Sequence, residues 1–113
     1  MERVRFWGNS LRQLRSLPPS ARAAFAWAIL ELERHPSSLP ISPDLDLSTE
    51  KMRGDPGLYR IAVEVNQNPP GYRGIYYLYR EDVYLIRFRR RDPTTYQGLR
   101  KDLARLFDEL RVA

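Results

Sequence analysis

The sequence predicts an α+β domain in the element order β-α-α-β-β-β-α: a small antiparallel sheet with a helical hairpin and a C-terminal helix packed on one of its faces. Three observations predict it. Strand-like runs at 58–65, 72–79 and 83–89 follow one another with turn residues between them, the pattern of an antiparallel meander. Apolar residues recur at helical spacing over 20–34 and again over 99–110. The chain of 113 residues has no internal repeat and reads as one domain, 1–113.

Each element has a local reason. Glu2 to Trp7 alternates, with Val4 and Phe6 on one side and Arg3 and Arg5 on the other, so a half-buried first strand is expected. Gly8-Asn9-Ser10 ends it, and Ser10 is suited to cap a short helix from Leu11 to Leu17. Pro18-Pro19 interrupts that helix and opens the next, because proline is tolerated in a first helical turn. Ala21, Ala24, Phe25, Ala28, Ile29 and Leu32 then share one face. Residues 36–50, with Pro36, Pro40 and Pro43, read as a loop. In the meander, Arg60, Ala62 and Glu64 alternate with Tyr59, Ile61, Val63 and Val65. Asn66 to Gly71, with Pro69-Pro70, forms a turn; Arg80-Glu81-Asp82 forms a tighter one. Asp92-Pro93 reads as a helix cap followed by proline at the first helical position. Leu99, Leu103, Leu106, Phe107 and Leu110 give that last helix its apolar face.

Composition narrows the chemistry. There is no cysteine, which excludes disulfides and thiolate metal sites, and the single histidine, His35, reads as a cap or surface residue at a helix end. No metal and no cofactor is expected. No apolar run is long enough to span a bilayer and no secretory pattern is present, so a cytoplasmic protein without a membrane partner is expected. Residues 1–50 hold as many acidic as basic side chains. Residues 51–113 hold thirteen basic against eight acidic and so carry the whole net charge of +5. Seventeen of the nineteen basic residues are arginine, whose planar donor fork matches phosphate. Arginines placed on three neighbouring strands should line one face of the sheet with guanidinium groups, which suits a phosphate chain.

The element order resembles that of the RelE/ParE superfamily of bacterial toxins. So do Lys51-Met52-Arg53-Gly54, Pro56-Gly57-Leu58-Tyr59-Arg60-Ile61, Gly71-Tyr72-Arg73 and Arg89-Arg90-Arg91 followed by Tyr96. The resemblance covers nearly the whole chain. It implies the toxin of a type II toxin–antitoxin pair, a ribosome-dependent endoribonuclease that cuts messenger RNA and is silenced by a cognate antitoxin. It carries functional roles to Arg60, Arg73, Arg89 or Arg90, and Tyr96. Ala62 departs from the pattern, because RelE-type enzymes commonly have lysine or arginine there.

Such a nuclease must help deprotonate a 2′-hydroxyl that attacks the adjacent phosphate, stabilise the added negative charge and protonate the leaving 5′-oxygen. Arginine titrates far above neutral pH, so Arg60, Arg73 and Arg90 are expected as phosphate clamps. Glu64 shares a side with Arg60 and is the acid–base candidate on that strand; Lys51 is a second, if its loop folds over the sheet. Arg60, Glu64, Arg73, Arg90 and Tyr96 are therefore the catalytic candidates. Lys51, Arg53, Tyr77, Arg89 and Arg91 are the RNA-binding candidates. Two other readings stay open on the same fold: a ParE-like inhibitor of DNA gyrase, and a non-catalytic RNA- or protein-binding module.

Overall fold

A computed structural model describes residues 3–64 and 71–112. Val65 and the expected turn from Asn66 through Pro70 lie outside the described residues, as does Glu2. The α+β class and the element order hold, with one strand added. The elements are β1 (Val4–Phe6), α1 (Ser10–Arg15), α2 (Pro19–Arg34), β2 (Leu47–Lys51), β3 (Leu58–Val63), β4 (Tyr72–Tyr79), β5 (Asp82–Arg90) and α3 (Leu99–Val112). They form a five-stranded sheet in the order β1-β5-β4-β3-β2. Neighbours β2 to β5 are antiparallel, whereas β1 runs parallel to β5, so the sheet is mixed.

The added strand comes from the segment expected to be a loop. Leu47 and Thr49 alternate into the core, while Ser48 and Glu50 remain exposed. The prolines stop short of this stretch: Pro43 opens a single 3-10 turn, and Asp46, at φ 50°, redirects the chain into the strand. Alternation over five residues, four of them polar, was hidden among the turn formers before it.

The helices do not share one face of the sheet. The hairpin of α1 and α2 packs Leu14, Ala21, Phe25, Ala28 and Leu32 against Ile61, Val63, Tyr76, Leu85 and Phe88. Helix α3 packs Leu99, Leu103 and Leu106 against Leu58, Ile75 and Ile86 on the opposite face. The meander strands therefore carry apolar residues on both sides, which explains why β4 is continuously buried from Tyr72 to Tyr76. A β-bulge sharpens this. Ile75 pairs with Arg87 but Tyr76 pairs with Leu85, so Ile86 is the extra residue, and it turns towards α3 beside Arg87 instead of away from it.

Two helix starts differ from expectation. Ser10 is fully buried inside α1 and does not cap it; Asn9 holds the cap position, and the helix ends at Arg15. Helix α3 begins at Leu99, seven residues after Asp92. The Asp92 carboxylate accepts from the backbone N–H of Thr94 at 2.7 Å and from its hydroxyl at 2.6 Å, closing a local turn. The carbonyls of Thr95 and Gln97 then accept from Arg87 at 3.0 and 2.8 Å. Gly98, at φ +75°, breaks any helical path before Leu99.

At the sheet edge, the Glu33 carboxylate of α2 accepts the backbone N–H groups of Arg3 and Val4 at 2.6 and 2.9 Å. These bonds, that from Arg3 first, hold its carboxyl below the ordinary value of 4.5. The hairpin between β4 and β5 turns on Arg80 and Glu81, both at positive φ (51° and 67°), without a glycine or asparagine at either position.

Candidate nucleic-acid interface

Register builds the site. On the α3 face, Ser48, Ala62, Arg73 and Arg89 lie opposite one another across four strands. The neighbouring row holds Glu50, Arg60, Ile75 and Arg87. Directly opposed residues in a sheet have Cβ atoms about 4.5–5.5 Å apart. Arg73 and Arg89 are thus adjacent like charges, an arrangement that costs stability unless each finds its own acceptor.

Each does. Arg73 is only 8% exposed. It donates to the Glu64 carboxylate at 2.7 Å and to the Tyr72 carbonyl at 3.0 Å. Arg89 donates to the Thr94 carbonyl at 3.0 Å. Arg60 is ion-paired with Glu50 and donates to the Tyr96 hydroxyl at 3.1 Å. Tyr96 is 40% exposed. Its hydroxyl is thus tied to the sheet while part of its ring stays open to solvent.

Glu64 is committed on both oxygens: one accepts from Arg73, the other from the Gly71 backbone N–H at 3.1 Å. Gly71 admits this contact because it lacks a side chain. A Cβ there would lie 2.0 Å from the Val63 carbonyl oxygen and 2.5 Å from the Glu64 carboxylate. Glu64 therefore fixes Arg73 and ties Gly71, at the start of β4, back to the end of β3.

The other candidates fall in three places. Lys51 and Arg53 line a shallow depression with Glu50, Met52 and Arg60, and Arg53 also borders a groove that reaches Tyr96. Both basic residues join the site from its β2 side, although Lys51 lies in register with Tyr59 rather than with the arginine rows. Arg91 is exposed and borders Tyr96 through the 92–96 turn. Arg90 pairs with Tyr72, whose ring belongs to the helical-hairpin core, so its register position is on the opposite face from Arg60 and Arg73. Of the two arginines weighed for this position, Arg89 has the register that faces the site. Tyr77 packs against Phe107 of α3, with ring centroids 5.0 Å apart, and against Tyr79. Burial first, then Asp55 and Tyr79 nearby, raise its hydroxyl above the ordinary tyrosine value. It serves the α3 packing and lies opposite Leu58, on the same sheet face as Arg60.

Two participants were not singled out from the sequence. Glu50, the partner of Arg60, sat in the segment read as a loop. Arg87 looked like one more basic residue of an arginine-rich strand. It is only 3% exposed. It bonds the Thr95 and Gln97 carbonyls and the Asp102 carboxylate, the last at 2.7 Å. Nothing in the local sequence marked it as different from the arginines beside it.

Asp92 is held below its ordinary carboxyl value first by the Thr94 hydroxyl, then by the Thr94 backbone N–H, with Arg89 and Arg90 adding to the effect. Among the described residues no cluster of three or more histidine, aspartate or glutamate side chains could hold a metal ion. Among them, too, no helix is long and apolar enough to cross a membrane. The arrangement offers fixed cationic donors, a half-open aromatic ring and a hydroxyl. It can grip a phosphodiester and stack a base beside it.

No protein-family model matches the sequence, and comparison with curated proteins finds no significant match. Solved structures do match. A double mutant of the E. coli toxin RelE in the free state superposes with a TM-score of 0.60 at 19% identity, covering 92% of this chain and 95% of that one. The isolated E. coli RelE toxin gives 0.60 at 20% identity, over 89% and 98%. A chain of the intact E. coli RelBE toxin–antitoxin complex gives 0.57 at 20%, over 81% and 99%. The α+β sheet with its two helical layers is therefore the fold of the RelE toxin, as the sequence resemblance implied.

Proposed function

We propose that this chain is the toxin of a type II toxin–antitoxin pair and acts as a ribosome-dependent endoribonuclease on messenger RNA. One observation carries the reading: Arg73 and Arg89 lie directly opposed on the sheet, with Arg60 bonded to Tyr96 in the adjoining row. Arg73 has the Glu64 carboxylate, whereas Arg89 has only a neutral carbonyl, so a phosphate seated between them would supply the negative charge that Arg89 lacks. The fold likeness to RelE, including RelE seen in complex with its antitoxin, supports a toxin with an antitoxin partner.

In this reading Arg73 and Arg89 bind the scissile phosphate and stabilise the charge that develops on it. Arg60 contributes from the next row, after exchanging its exposed partner Glu50 for phosphate. Tyr96 stacks on a neighbouring base and orients the 2′-hydroxyl for in-line attack. Ala62 supplies no titratable group in the row with Arg73, and Glu64 is occupied on both oxygens. The rate enhancement then rests on positioning and charge stabilisation more than on a strong base. A single well-placed donor contributes about 10²–10³ in rate. The site of action is the cytoplasm, where translating ribosomes are met.

The test is induced expression with mapping of messenger RNA ends on ribosomes. Growth and translation should stop, with new cleavage ends inside coding regions, and Arg89→Ala should remove both effects. A ParE-like gyrase inhibitor is the second reading. It is favoured by Ala62 and by the carboxylates already paired with Arg60 and Arg73. Growth arrest with intact messenger RNA and inhibited DNA supercoiling would select it.

A further inference from the structure

We infer that Arg87 is a positioning residue for Tyr96. Its guanidinium fixes the main chain on both sides of the tyrosine and ties that segment to the first turn of α3. One Nη of Arg87 donates to the carbonyls of Thr95 and Gln97, the residues flanking Tyr96, at 3.0 and 2.8 Å. The other donates to Asp102 of α3 at 2.7 Å. The bulge at Ile86 turns Arg87 towards this segment. Thr95 is anchored separately: its hydroxyl donates to the Asp92 carbonyl at 2.8 Å and accepts from the Asp92 N–H at 2.8 Å. From the far side, Arg60 holds the Tyr96 hydroxyl at 3.1 Å. The ring is thus fixed from its own backbone and from its tip.

Arg87 is too buried, at 3% exposure, to touch a phosphate. Its influence on the reaction passes through Tyr96. A non-helical segment of eight residues between β5 and α3 has few other ways to hold one side chain in register. Its carbonyls would otherwise face water and let the turn open. Asp102 neutralises the buried guanidinium, so the clamp also requires α3 to be docked. The kinetic part of this inference rests on the nuclease reading above; the structural part does not.

The experiment compares the full chain with Arg87→Met, Arg87→Lys and Asp102→Asn. Amide hydrogen exchange is measured first. In Arg87→Met the amides of Gln97 and Leu99, which bond the Thr94 and Tyr96 carbonyls, should exchange at least tenfold faster. The amides of β4 should stay protected. Arg87→Lys, with one compact ammonium for three acceptors, should fall between the two. Unchanged exchange over 97–99 in every folded variant overturns the inference, whatever the activity. If Arg87→Met does not fold, Arg87→Lys and Asp102→Asn carry the same comparison.

Cleavage of ribosome-bound messenger RNA is measured next. Arg87→Met should lower kcat/KM tenfold to a hundredfold, since misplacement by about 1 Å costs roughly 10² in rate and a displaced ring no longer stacks on its base. The salt dependence of RNA binding should not change. Combined with Tyr96→Ala, Arg87→Met should add no further loss, because both remove the same group from the site. Losses that multiply would refute the route through Tyr96. If the parent protein cleaves nothing, the nuclease reading fails, and the exchange measurement alone decides whether Arg87 positions Tyr96.

Discussion

Glu64→Gln separates a proton carrier from a structural clamp. In the fold, one Glu64 oxygen accepts from Arg73 at 2.7 Å and the other from the Gly71 N–H at 3.1 Å. Glutamine keeps one acceptor. Its amide nitrogen must face either the guanidinium or the Gly71 N–H, donor against donor. A hydrogen bond to a charged group contributes about 1.5–3 kcal/mol when well made. The Glu64 side chain is 45% exposed, so solvent screens much of this, and a loss of about 1–2 kcal/mol is expected. For a domain of this size that lowers Tm by roughly 4–10 °C. Arg73 is 10% exposed at its side chain and cannot swing out cheaply, so it should stay near its place and bind phosphate with altered orientation. Cleavage should fall severalfold while the pH–rate profile keeps its shape. The assay pairs thermal melting with single-turnover cleavage between pH 5 and 9. An unchanged Tm with a flattened acid limb would show that Glu64 moves a proton, and the clamp argument would be wrong.

Other outcomes follow from separate contacts. Tyr96→Phe removes the acceptor for Arg60 and keeps the ring; it should lower kcat by several-fold and leave base stacking, read as RNA affinity, within about twofold. RNA or ribosome binding should weaken steeply with salt, with a log–log slope of about −0.7 per neutralised phosphate on single strands. Arg89→Ala should shallow that slope, and an affinity flat from low to physiological salt would remove the phosphate-clamp idea. Glu81→Gly should stabilise the chain by about 0.5–1 kcal/mol, since glycine relieves a left-handed residue but adds freedom to the unfolded chain; denaturant melts report it. Glu33 has its carboxyl lowered in the folded state, so its contribution is complete above its ordinary value of 4.5 and is lost as pH falls through the lowered one. Glu33→Gln should therefore lower stability at neutral pH and reduce its decline in acid, and parallel acid titrations of the two proteins would contradict the edge-staple role.

Legibility followed periodicity. The long apolar patterns placed α2 and the four original strands closely: β4 spans Tyr72–Tyr79, as its alternation predicts. Helix α3 kept its apolar face but lost its expected start, because Asp92-Pro93 is chemically suited both to a helix cap and to the Asx turn it forms here. Local sequence does not choose between them. In the fold, Arg87, ten residues before Gln97, takes the carbonyls of Thr95 and Gln97, which favours the non-helical path. The placement of α3 on the far face was equally hidden. Alternation says that β4 has two sides, not which helix covers which. The bulge at Ile86 left no mark at all, yet it sets the direction of Arg87. Among the site residues, Arg60, Arg73 and Tyr96 could be chosen by resemblance, and register brings the first two into adjoining rows. Arg89 over Arg90 needed the actual pairing.

The arginines of this sheet differ in what they can give to a ligand, and burial orders them. Arg87 is sealed, with both of its terminal nitrogens bonded within the fold, so it is committed to structure. Arg73 is nearly sealed, but its partner Glu64 is open to solvent, so a phosphate can approach the pair without unfolding anything. Arg60 and Glu50 are a surface pair with side chains 33% and 62% exposed; such pairs contribute only about 0–1 kcal/mol. A phosphate offering two oxygens to the Arg60 fork can displace Glu50 at small cost. Arg89 is bonded to a neutral carbonyl and has no ion pair within 4 Å among the described residues. The expected sequence of engagement is therefore Arg89 first by field, Arg60 by exchange, and Arg73 as the fixed point against which the phosphate seats. Glu50→Gln tests this order. It should tighten RNA binding by removing a competitor for Arg60, and it should leave the melting temperature within a few degrees. Weaker binding in that variant would mean that Glu50 orients Arg60 for the ligand instead of competing with it.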